Sequence, residues 1–123
     1  LNEKIFRICS GVGFDTYLPQ IAVPLGTPMA PLQILEANER AVNESDLLLM
    51  VFDKAGGGGG MEYQRALILQ KPIIGYRSLS SLRTEPLGAM LEGAWERISK
   101  EYKASTMEGL EKILTKMSLE GEE

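Results

Sequence analysis

Apolar side chains recur along this chain with two periods, and the two periods divide it into helices and strands. Leu1, Ile5, Phe6, Ile8 and Cys9 share one helical face, so the chain reads as entering an amphipathic helix directly. Phe14 to Leu18 alternates apolar and polar positions and stops at Pro19, which predicts a strand. From there to Pro31 the chain reads as loop. Pro24, Gly26, Pro28 and Pro31 preclude regular structure, and long connections of this kind often cover sites. Leu32 to Glu44 returns to helical spacing through Ile34, Leu35, Ala41 and Val42. Leu47 to Phe52 is a continuous apolar run, expected to be a central parallel strand buried on both faces. The glycine run Gly56 to Gly60 follows as a loop. After it come a helix from Met61 to Gln70, a short strand at Pro72 to Tyr76 and a polar loop from Ser78 to Thr84. Leu87 to Ile98 and Met107 to Met117 read as further helices, and Glu120 to Glu123 as a frayed acidic tail.

Strand, glycine loop, helix, strand is the order of a βαβ unit, so the expected class is α/β with a parallel sheet. Ligands of such sheets bind beyond the carboxyl ends of the strands. A length of 123 residues suits one domain spanning 1–123. No apolar run approaches the roughly 20 residues that span a bilayer, and no signal-peptide pattern is present, so a soluble, cytoplasmic protein is expected. The net charge of −4, with its basic residues scattered, argues for a small ligand over a nucleic-acid polymer. Cys9 is the only cysteine and there is no histidine, which excludes an intrachain disulfide and a Cys/His metal cluster. Neither metal nor cofactor is expected, and Cys9 is read as a core residue.

Five consecutive glycines lose much backbone entropy on folding, which favours a place where backbone approaches a ligand or turns sharply. The run lacks the Gly-Lys-Ser/Thr ending of a phosphate-binding P-loop. Glu62 follows it, in the expected first turn of the next helix, where the helix dipole favours a carboxylate whether or not that carboxylate has chemical work to do.

Gly58-Gly59-Gly60-Met61-Glu62, then Ala66 and Lys71-Pro72, resembles a segment of the nucleoside 2-deoxyribosyltransferase family: glycines, a glutamate, a small residue four later and Lys-Pro after that. Asn38 to Val42 with Ser45-Asp46 ahead of an apolar strand is similar to the family's preceding helix and strand. Tyr17-Leu18-Pro19-Gln20 resembles its second strand and following glutamine. Leu87 to Ala94 resembles the corresponding helix of the 2'-deoxynucleoside 5'-phosphate N-hydrolase branch. The resemblance implies a flavodoxin-like three-layer sandwich, a homodimer or larger homo-oligomer with shared sites, and a first strand and sugar-binding loop ahead of Leu1. It implies Glu62 as the nucleophile on the anomeric carbon of a deoxynucleoside, with Gln20, Asn38, Gly58, Gly60, Gly88 and Met90 around the substrate, Met90 near a neighbour's site. Transfer to a free base or hydrolysis are the outcomes, a nucleoside 5'-phosphate N-glycosidase being the nearest alternative and a non-catalytic nucleotide or nucleoside binder the next.

Two departures bear on the substrate. Asn38 stands where the family carries an aspartate, and an amide can hydrogen-bond a hydroxyl without bringing charge. Gly56 and Gly88 stand where the hydrolase branch has phosphate-binding serines, which favours nucleosides over nucleotides. Among other residues, Asp53 is read as a turn former at a strand end. Arg77 and Arg83 are read as solvated arginines with some capacity for an anion, and Trp95 as a core or subunit contact.

Overall fold

The structure, a computed structural model, describes residues 2–16, 30–53, 57–84 and 87–121. Its frame is a parallel sheet of β1 (Leu48–Val51), β2 (Ile73–Tyr76) and β3 (Lys103–Ala104), hydrogen-bonded in that order. Leu48 is in register with Ile73 and Val51 with Tyr76, while Tyr76 is also in register with Ala104. The described residues also form α1 (Asn2–Val12), α2 (Pro31–Glu44), α3 (Gly57–Ile68), α4 (Leu79–Thr84), α5 (Ala89–Arg97) and α6 (Met107–Gly121).

Strand alternation feeds two cores. Leu49, Val51, Ile74 and Tyr76 pack with Ile5 and Cys9 of α1 and with Leu110 and Leu114 of α6. Met50, Phe52 and Ile73 pack on the other face with Tyr63 and Leu67 of α3 and with Leu91, Ala94 and Trp95 of α5. The fold is therefore mixed α/β, with helices on both faces of a parallel sheet. The crossover helices α3 and α5 share one face, as same-handed crossovers stepping in one direction require. Gly75 lets the second core close on β2: a β-carbon there would stand 2.9 Å from Ile98 Cδ1, 3.2 Å from the Trp95 ring and 3.3 Å from the Phe52 ring. Trp95 meets Phe52 edge-on at 5.2 Å between centroids. Cys9 and Trp95 thus lie in the cores, as their residue types suggest, and burial pushes the Cys9 thiol up.

Four expectations are corrected. Phe14 to Thr16, the described part of the expected Phe14 to Leu18 strand, is irregular because α1 ends in a Schellman turn. Gly13 takes φ 107°, its N–H donates to Ser10 O at 3.1 Å, and the Phe14 N–H donates to Cys9 O at 2.9 Å. The glycine run is not a loop in its described part, since Gly57 to Gly60 form the first turn of α3. The polar stretch expected as a loop contains α4, whose N-cap is Ser78: its Oγ accepts from the Ser81 N–H at 3.1 Å. Finally, α6 continues through Gly121, beyond the expected start of a frayed tail. Residues 17–29, which include the rest of that strand, most of the expected loop and Gln20, lie outside the described residues, as do 54–56. Among the described residues no helix is long and apolar enough to cross a membrane.

Candidate functional site

The candidate site is built where β1 hands over to α3. The strand ends at Val51, Phe52 is fully buried, and α3 opens with four residues that have no side chain. Four glycines in a helix are unfavourable by about 0.8–1 kcal/mol each relative to alanine. At Gly60, the last of them, an added β-carbon would meet nothing within 4 Å. Gly58 and Gly60, both expected at the sugar, lie in this first turn.

Glu62 is the sixth residue of α3, so it sits in the second turn and not in the first. The expectation that the dipole keeps it ionised is thereby corrected, because that effect fades beyond the first turn. The side chain is half-buried and no hydrogen bond or ion pair to its carboxylate is found among the described residues. Desolvation pushes its pKa above the ordinary carboxylate range. Next to it, Tyr63 is buried in the second core with a hydroxyl that has no hydrogen-bond partner among the described residues.

α2 lies alongside α3. Arg65 donates from Nε to Asn43 Oδ1 at 2.7 Å and its Nη1 forms an ion pair with Glu39 Oε2 at 3.0 Å, and Lys71 Nζ donates to Asn43 O at 3.1 Å. With side chains 37% and 38% exposed, the Arg65–Glu39 pair contributes about 0–1 kcal/mol to stability. It nevertheless brings α2, and with it the half-buried Asn38, beside the helix that carries Glu62.

The carboxyl ends of β1 and β2 are tied by polar contacts. Asp53 accepts from the Ser78 N–H at 2.9 Å and from the Ser78 hydroxyl, so it braces the α4 cap. Its charge, after burial, also raises the Tyr76 phenol. Arg77 is the opposite of a solvated arginine: it is 4% exposed and gives Glu92 a two-pronged bond at 3.0 and 3.2 Å. Glu92 is held below its usual carboxylate range, chiefly by that bond. This pair, a buried arginine with a half-exposed glutamate, was hidden in the sequence because its partners are on different elements. Only the position of Arg77 directly after a buried strand hinted at it. The Arg83 side chain lies outside the described residues.

Gly88 is the N-cap of α5, exposed, and Met90 is 83% exposed on the helix that follows. Two surface hollows lie along α6, one lined by Glu108, Lys112 and Lys116 and the other by Tyr102, Ile113 and Met117, and neither includes Glu62. The first is lined by α6 alone and the second by that helix together with residues 101–102. Among the described residues no cluster of three acidic, histidine or cysteine side chains gathers to hold a metal. Comparison with protein-family models, curated proteins and solved structures finds no match to this chain.

Proposed function

We propose that the chain is an N-glycosyl enzyme of the nucleoside 2-deoxyribosyltransferase type, acting on 2'-deoxynucleosides with Glu62 as nucleophile. The observation that carries the reading is the half-buried, unpartnered Glu62 carboxylate on a helix that the chain enters from the carboxyl end of β1. A desolvated carboxylate without a counter-ion is poorly stabilised as an anion and correspondingly ready to bond an electron-poor carbon. Its oxygen bonds to C1' as the C1'–N bond breaks. The base leaves with the electron pair and takes a proton from water. A second base or water then attacks C1' and releases the carboxylate.

The same-face crossovers, with α1 and α6 on the opposite face, support a flavodoxin-like sandwich, where the helix that steps the other way across the sheet must lie on the other side. The commitment of Arg77 to Glu92 supports nucleosides over 5'-nucleotides, since it leaves that guanidinium engaged. In this reading Asn38 hydrogen-bonds the sugar, Gly88 lies near it, and Met90 faces the site of a second copy.

Chromatography of free base released from 2'-deoxynucleosides, with and without an acceptor base, tests the reading. Glu62→Gln is expected to lower release by roughly a thousandfold or more, about 4 kcal/mol in the barrier. Unchanged turnover in that variant, or no release by the wild-type protein while it binds nucleoside, turns the reading to a structural glutamate or a binding protein.

A further inference from the structure

We infer that Arg65 is a positioning residue, fixing α2 against α3 and so the placement of Asn38 relative to Glu62; the inference rests on the roles proposed above for those two residues. Few of the described side chains of α2 are buried. Val42 is its one buried residue among the described side chains, and Leu32 and Leu35 stand 63% and 38% exposed. A helix with so few buried contacts can slide or roll unless directional bonds hold it.

Arg65 supplies those bonds with one planar group. Its two acceptors, Glu39 and Asn43, are four residues apart and therefore on one face of α2. The Nε hydrogen bond and the Nη1 ion pair, made by one planar group to two points on that face, together restrain its slide and its roll, which a lysine's point charge cannot do. Lys71, beyond the end of α3, holds the last turn of α2 by its Asn43 carbonyl. The clamp is close to the proposed chemistry on both sides. Arg65 follows Glu62 by just under one helical turn, and Glu39 adjoins Asn38. An exposed ion pair adds little stability, so its geometric role is separable from folding.

The test compares wild type, Arg65→Lys, Arg65→Ala and the swap Glu39→Arg with Arg65→Glu, by segment-resolved hydrogen exchange and by kinetics with a 2'-deoxynucleoside. Arg65→Ala is expected to speed amide exchange in α2 at least tenfold, leave β1, β2 and Leu110–Leu114 unchanged, and lower kcat at least tenfold with KM within threefold. Arg65→Lys should fall between, and the swap should recover part of both effects. A kcat within twofold of wild type in Arg65→Ala, or unaltered exchange in α2, overturns this inference alone. Absence of base release by the wild-type protein overturns the enzyme reading and the inference together.

Discussion

Burial without a partner sets the behaviour of Glu62. Its folded-state pKa lies above the value of 4.5 taken as its unfolded reference, so the folded chain holds this proton more tightly than the unfolded one. The stability it contributes is full below about pH 4.5 and is lost as pH rises through the raised folded value. Glu62→Gln is accordingly expected to unfold at a higher denaturant concentration than wild type at pH 7, with the difference closing below about pH 4.5. Equal midpoints at both pH values would contradict the desolvation seen at this residue. Glu92 works in the opposite sense: its folded pKa is lowered, so the stability it contributes is present above the reference value and lost as pH falls through the folded one. Monitoring Glu62→Gln against wild type isolates the first effect, since Glu92 is common to both chains.

At the scale of elements, the first turn of α3 sets helix formation against openness. Gly60→Ala meets no atom within 4 Å and lies in regular helix, so it should stabilise the protein by about 0.5–1 kcal/mol. If the bare turn admits a sugar, the same substitution lowers kcat/KM for a deoxynucleoside; a gain in stability with unaltered activity would assign the glycines no part in binding. This turn also marks how far the sequence could be read. Apolar patterning located α2, β1, β2, α5 and α6 to within a few residues, and all of these but α2 pack into the two cores. The glycines were read as loop since intrinsic propensity opposes a helix there, and tertiary packing of Tyr63 and Leu67 prevailed. β3 went unread because two residues carry no period, and α4 because its cap depends on Asp53, distant in sequence. Of the site, Glu62 was legible as a candidate but its position in the helix was not. Arg65 carried no signal at all, since its acceptors are on another helix.

For the whole molecule, the proposed reading has a site shared between copies. Ala89 and Met90 stand exposed at the start of α5, and Met90 is the most exposed large apolar side chain among the described residues. Sedimentation at micromolar concentration is expected to give a dimer or larger closed assembly. Met90→Asp should shift it toward monomer and reduce base release in parallel. Full activity in a protein that sediments only as monomer would remove the shared-site reading.

The all-parallel ladder also governs how the protein is made. β1 pairs with β2 only across an intervening helix, so an emerging Leu48–Val51 segment has no hairpin partner close behind it. At about 5–20 residues per second, a ribosome takes on the order of one to five seconds to supply β2. For that interval Leu48–Val51 exists without the strand it pairs with in the folded sheet, its backbone donors and acceptors on that side unfilled.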